Sequence, residues 1–266
     1  MSTISSEPVG ELVRRWRTRR RRSQLDVSAA AAMSTRHLSF IETGRATPSR
    51  TMIERLCDEL EVPLRERNAF YLAAGYAPVH PERSFEDLGP ALDAIRAVLG
   101  GLEPNPSVAV NVRWEVLAAN RAMQVFLDQV PAGLRTEPMN ILRATLHPDG
   151  LAQQIVDLGR WRQEVLGRVR RQLARTAARG LADLLTELES YPVPQTPATA
   201  PTPGADLAIP LRLATPSGEL AMLYTTTVFG SAQDVTLSEI AIETFFPADQ
   251  RTAAALQALV DPTTHS

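Results

Sequence analysis

Apolar positions recur three and four apart through the first third of the chain. Leu12, Val13 and Trp16 fall on one helical stripe. Val27, Ala31 and Leu38 point inward from the two short segments that follow, and Met52, Ile53, Leu56 and Leu60 continue the spacing. Punctuation divides the pattern into helices. Ser23, Ser34 and Ser49 each stand just before a periodic segment, where a hydroxyl can accept from the free N–H groups of a helix start. Gln24 occupies the first turn after Ser23, and Gly44 is the stop signal after Thr43. A fifth helix runs from Pro63 to Gly75. The helices opened by Ser23 and Ser34 are joined by a gap short enough only for a tight turn, and the run Ala29 to Ala32 lets them approach closely. This is the shape of a helix-turn-helix, whose second helix enters a DNA major groove. On that helix Thr35, Arg36, His37 and Ser39 occupy the exposed face, while Leu38, Ile41 and Phe40 hold it to its domain.

The pattern changes after residue 76. Tyr76-Ala-Pro-Val-His-Pro opens a linker over 77–87, and a helix is expected over 88–100. Ser107-Val-Ala-Val-Asn-Val reads as a strand and Trp114-Glu-Val-Leu-Ala-Ala as its hairpin partner, with Arg113 and Trp114 between or on the two strands. Asn120 begins a helix to about Leu127. Residues 140–189 read as helical throughout, with Ile155, Leu158, Trp161, Val165, Leu166, Val169 and Leu173 on the apolar side. Arginines 160, 162, 168, 170, 171 and 175 form a solvated face paired with Glu164 and other acids. Five prolines make 192–204 an extended loop interrupting the second domain. Three strands follow at 209–214, 219–229 and 239–246, separated by turns at 215–218 and 230–236, and Asp249 caps a last helix. The fold class is therefore an all-α head on an α+β body, whose antiparallel sheet pairs the early hairpin with the late strands.

Charge sharpens the division. The net charge of the 266 residues is -2, but residues 1–76 hold 13 Arg against 9 acidic residues and the remainder 15 against 21. Seven arginines fall within positions 14–22. A basic head on an acidic body fits one nucleic-acid-binding module and one module of another kind. All 28 basic residues are Arg, a composition that points to a GC-rich bacterial genome. The one cysteine, Cys57, lies on an apolar helix face and reads as a core thiol. The polar, then basic, opening of the chain carries no secretory signal pattern, and no apolar run of membrane-spanning length occurs, so a cytoplasmic location is expected. No Gly-rich phosphate loop, zinc-type cysteine pair or nucleophile elbow is present, and His37, His80, His147 and His265 are scattered, so no enzyme or required cofactor is expected.

Residues 8–76 resemble the five-helix DNA-binding domain of the xenobiotic-response-element and phage-repressor class. The matching residues are Arg17, Ser23-Gln24, Ser34, Leu38-Ser39, Ile41-Glu42, Gly44 and Pro48-Ser49. The resemblance implies DNA contacts from Gln24, Ser34, Thr35, Arg36, His37 and Ser39, and an internal ion pair between Arg17 and Glu42. Arg20, Arg21 and Arg45 are then phosphate candidates, and Arg36 is the candidate for guanine. The chain departs from that class at Ser28 and Ala32, where Ala and Gly are usual.

Residues 88–258 resemble the ligand-binding domain of MmyB-like transcription regulators, a PAS-like sheet covered by helices. The resemblance rests on Trp114-Glu-Val-Leu-Ala-Ala-Asn120-Arg-Ala, Asn140-Ile-Leu-Arg143, Thr215-Pro-Ser-Gly-Glu-Leu220 and Thr225-Thr-Thr-Val-Phe-Gly230. It implies a sensor whose pocket accepts an apolar small-molecule effector, fatty acids being the family precedent. Together the two parts read as a cytoplasmic regulator of operator DNA, and operator symmetry makes a homodimer the expectation. Candidate pocket residues are Val110, Trp114, Leu117, Phe126, Trp161, Leu223, Tyr224 and Phe229. Ala119 and Thr215 depart from the family pattern and reshape the expected pocket. A body that only dimerises is the alternative.

Overall fold

A computed structural model of the chain describes residues 7–82, 89–178, 180–192, 209–229 and 235–260. The Pro-rich segment expected at 192–204 and the end of the expected linker lie, beyond Pro192 and Glu82 respectively, outside the described residues. The chain divides into two compact units, residues up to 87 with 231–238, and the rest.

The first unit holds five helices: α1 (Val9–Arg19), α2 (Gln24–Ala30), α3 (Thr35–Glu42), α4 (Arg50–Glu59) and α5 (Leu64–Ala73). The cap signals are realised: the hydroxyls of Ser23, Ser34 and Ser49 accept from the backbone N–H of Asp26, His37 and Met52. Asp26 returns a bond to the Ser23 N–H, closing a capping box. Leu12, Val13, Trp16, Val27, Leu38, Ile41, Ile53, Leu56 and Phe70 are buried together as the core. Burial pushes the Cys57 thiol up to about 12, consistent with a core role. Phe40 is instead half-exposed.

Two backbone details bring the helices together. A Cβ on Gly10 would lie 2.2 Å from the Ile41 carbonyl oxygen, so only glycine lets α1 cross the end of α3 this closely. At the turn between α2 and α3, Met33 N–H donates to Ser28 O at 2.9 Å and Ala32 N–H to Ala29 O at 3.3 Å. That is a Schellman closure, and it sets Ala32 at φ +54°, a left-handed position where glycine is favoured. The turn therefore keeps its geometry and carries strain. A short helix, α11 (Val235–Ser238), also belongs to this unit; Val235 N–H donates to Pro81 O at 3.0 Å. The sequence pattern put a turn there, because four residues are too few to show a helical period.

The second unit contains α6 (Gly89–Gly101), β1 (Ser107–Val110), β2 (Val116–Ala119), α7 (Arg121–Leu127), α8 (Ile141–Leu146), α9 (Leu158–Thr176), α10 (Leu181–Ser190), β3 (Leu211–Thr215), β4 (Gly218–Val228), β5 (Ala241–Pro247) and α12 (Gln250–Val260). The sheet is antiparallel in the order β2-β1-β5-β4-β3. β5 thus joins the early hairpin to the late strands. Val108, Val110, Leu211, Leu213, Leu220 and Met222 face α7, α8, α9, α10 and α12 across one apolar core.

The helix expected throughout 140–189 is broken. His147-Pro-Asp-Gly ends α8, residues Leu151–Gln154 form a 3₁₀ turn, and Ile155 bridges to Leu213 on β3. A second break follows at Ala177, φ +54°. The long apolar period concealed these turns, because each returns the next helix to the same core.

Replacing Ala32 by glycine relieves a left-handed alanine and is expected to stabilise the first unit by about 0.5–1 kcal/mol. Gly10→Ala should destabilise it by more than that, because the clash is with backbone. Calorimetric unfolding of the two variants checks both signs.

Candidate nucleic-acid interface and internal cavity

The outer face of α3 is fixed from behind by an ion-pair network. Arg17 donates to Glu42 through Nε at 2.6 Å and Nη2 at 2.9 Å, and its Nη1 donates to Arg22 O at 3.0 Å. The Arg17 and Glu42 side chains are 15% and 4% exposed, so this fork sits largely out of water. Gln24 Nε2 donates to the same Glu42 carboxylate at 2.8 Å. One carboxylate therefore joins α1, α2 and α3. Burial works to raise Glu42, but the hydrogen bonds from Arg17 and Gln24 and the charges of Arg17 and Arg14 outweigh it, and the carboxyl is held below its ordinary value.

In front, Arg36 is exposed and its guanidinium lies 5.3 Å from the Phe40 ring centre. This stacking explains the half-exposure of Phe40: the ring orients the arginine above it. His37 and Ser39 are half-buried on the same short helix, and Ser34 is exposed with its hydroxyl engaged in the cap. Thr35, expected on the open face, is half-buried and shares a 2.9 Å hydrogen bond with Ser28. Ser28 at a position where alanine is usual thus adds a bond across the turn. Gln24 is likewise drawn back toward Glu42.

The arginine cluster separates into two kinds. Arg20 Nε donates to Leu60 O at 2.8 Å and Nη2 to Glu61 O at 2.6 Å, while Arg22 pairs with Glu59. These carbonyls terminate α4, so Arg20 closes a helix end. Arg20, a phosphate candidate by sequence, is thus engaged by the protein's own backbone. Arg21 and Arg45 are exposed, as is Arg14.

In the second unit a narrow cavity of about 60 Å³ lies between the sheet and the helices. Trp114, Phe126, Trp161, Val165, Leu213, Met222 and Phe245 supply apolar walls, and Arg168 and Glu243 a polar end. Trp114 reaches it from a strained turn, at φ +66°. Asn111 Oδ1 accepts from the N–H groups of Arg113 and Glu115 at 2.9 and 3.0 Å, and Asn140 Nδ2 donates to Arg113 O at 2.8 Å. The indole N–H donates to Gln172 on α9 at 2.8 Å. Asn140 also caps α8 and Asn120 caps α7, so two buried asparagines bracket this turn and its strands.

Arg168 and Glu243 were not foreseen. Arg168 is no part of a solvated face: its side chain is 18% exposed and Glu243 is 3% exposed, with Nη1 to Oε2 at 2.5 Å. The guanidinium lies between the Trp114 and Tyr224 rings, 4.5 and 4.6 Å from their centres. A signal existed. Positions 161, 165, 168 and 172 fall on one helical stripe, so Arg168 is a charge on the apolar side of α9.

Of the sequence candidates, Trp114, Phe126 and Trp161 line the cavity. Leu223 does not, because alternation along β4 puts Met222 inside and Leu223 outside, at 36% exposure. Val110 is buried in the adjoining core, and Tyr224 braces Trp161 edge-on at 5.4 Å from outside the wall. Leu117 on β2 and Phe229 beyond β4 are half-buried and stand away from the lining.

The lowered Glu42 carboxyl ties stability to pH. Its contribution is complete above its ordinary value of 4.5 and is lost as pH falls toward the lower folded value. Stability of the first unit should therefore decline below about pH 4.5, with a shallower decline in Glu42→Gln, as followed by denaturant midpoints across pH. Arg17→Ala strands the carboxylate and should cost about 2–4 kcal/mol at neutral pH.

Two family matches cover this geometry. Residues 8–70 match a helix-turn-helix domain, and residues 92–259, well over half the chain, match the MmyB-like transcription regulator ligand binding domain. The first match takes in α1 to α4 and most of α5, and the second both walls of the cavity. Transcriptional regulator ClgR from two strains of Mycobacterium tuberculosis, H37Rv and CDC 1551, is 36% identical to this chain over 64 residues. That stretch is 24% of this chain and 57% of those relatives, so the chain spans little more than half of their length. With a DNA-binding head of helix-turn-helix type and a ligand-binding body matched through its core, the chain belongs to the MmyB-like transcription regulators.

Proposed function

We propose that this regulator reads a specific operator through the outer face of α3, and that an apolar, fatty-acyl-type small molecule in the body cavity changes its affinity for that DNA. The observation that carries the effector is the apolar cavity of the body, built around a buried polar end inside a domain of a ligand-binding family. The DNA half follows from a short helix locked from behind and presenting Arg36, His37 and Ser39 outward.

In this reading Arg36 places its fork on the two acceptors of a guanine edge, pre-oriented by Phe40. His37 and Ser39 contact neighbouring bases. Gln24, Ser34 and Thr35 touch DNA at the helix start while keeping their internal bonds. Arg21 and Arg45 neutralise phosphates. Two copies bind as a homodimer, with half-site centres about 34 Å apart or a multiple of it. The effector acts by binding two arrangements of the protein unequally, so its influence equals that difference in affinity. At about 60 Å³ the cavity holds a short chain as it stands. A long acyl chain enters by displacing wall side chains, which is the conformational change the mechanism requires.

Native mass spectrometry of the purified protein, followed by anisotropy on a selected operator, tests the whole reading. A dimer carrying one acyl compound per chain, with saturable modulation of DNA binding that Trp114→Ala removes, is the expected result. DNA affinity indifferent to every bound acyl compound would leave the body as a dimerisation module. For the head, Arg36→Ala should weaken operator binding by about 1–3 kcal/mol while barely changing binding to random DNA. Arg21→Ala or Arg45→Ala should weaken both and reduce the salt slope by about one; equal losses for Arg36→Ala on both DNAs would remove its base-reading role.

A further inference from the structure

The cavity wall holds an imbalance of hydrogen-bonding groups. Two buried donors on it have no acceptor among the described residues: the indole Nε1–H of Trp161, a residue 4% exposed, and the Nε–H of Arg168. A buried donor left unpaired is costly, so a bound acceptor that met either one would gain free energy. The acceptors of the lining do not reach these donors. Glu243 Oε2 accepts from Arg168 Nη1 at 2.5 Å, and Oε1 accepts from Thr226 Oγ1 at 2.8 Å. Thr145, the remaining polar side chain of the lining, donates its hydroxyl hydrogen to Ile141 O at 2.7 Å, and neither orphaned donor meets its oxygen. What the cavity lacks is an acceptor oxygen placed for these two donors.

Charge decides what carries that oxygen. Arg168 and Glu243 are the ionisable residues of the lining, and they neutralise each other. A ligand carboxylate that reached Arg168 Nε would lie within one guanidinium's width of the Glu243 carboxylate, among apolar walls. It would surrender its hydration, meet a like charge, and find the cation already paired. The carbonyl oxygen of an ester, amide or ketone meets the same donors with no charge to desolvate.

We infer that the cavity selects an uncharged acyl compound, whose carbonyl oxygen accepts from Trp161 Nε1 and Arg168 Nε, over the free carboxylate of the same chain. This selectivity rests on the effector reading above, and matched probes separate the two. Calorimetric titration of the full chain with methyl octanoate and with octanoate, at pH 8 where the acid is ionised, reads the preference directly. The ester is expected to bind at least about tenfold more tightly. Octanoate binding as well as the ester, or better, overturns the uncharged head and leaves the effector reading standing. Binding of neither probe overturns the effector reading and the selectivity with it. Trp161→Phe keeps the ring against Tyr224 and removes the N–H. It should lower ester affinity about three- to tenfold with little change for octanoate. An ester affinity that this variant does not alter removes Trp161 from the oxygen site.

Discussion

A carboxylate withdrawn from water must be met by a cation with matching geometry, and each unit of this regulator is organised around one such pair. Glu42 in the head and Glu243 in the body are 4% and 3% exposed at their side chains. Each is met by an arginine, Arg17 on α1 or Arg168 on α9. The chain has no lysine. Guanidinium suits both places: its planar fork reaches both oxygens of Glu42, and its flat face stacks between Trp114 and Tyr224. Breaking either pair leaves a buried charge, so each pair fastens together the elements it joins.

The functional consequences differ. In the head the pair is a brace. It ties three helices behind the α3 face and leaves Arg36 exposed at the front of that helix. In the body the pair forms the polar end of a cavity whose remaining wall is apolar. The same electrostatics make a brace in one unit and a cavity wall in the other.

Strained backbone marks both regions. Ala32 and Trp114 are non-glycine residues held at positive φ. The first closes the turn that angles α3 against α2. The second turns an indole inward from a hairpin, secured by Asn111 and Asn140. Such conformations persist only where the surroundings over-determine them. Here backbone hydrogen bonds to Ser28 and Ala29 hold the first turn, and the Asn111 and Asn140 side chains hold the second.

The sequence by itself determined the helical head, the caps at Ser23, Ser34 and Ser49, the stop at Gly44, the strands and their approximate limits, and the division into a basic and an acidic part. These are local properties: capping and period act over one or two turns. The tertiary structure decided the rest. It broke the apparent helix over 140–189, because turns that return a chain to one core preserve the apolar period. It sent Leu223 outward, because facing along a strand is set by register against its neighbours. It tied Arg20, a phosphate candidate, to the carbonyls that end α4, and it moved Arg168 from a solvated face into the cavity beside Glu243. Those last assignments depend on partners 40 and 75 positions away in the chain. A charged side chain acquires its role from the partner and the dielectric that folding supplies, and neither is present in the local sequence.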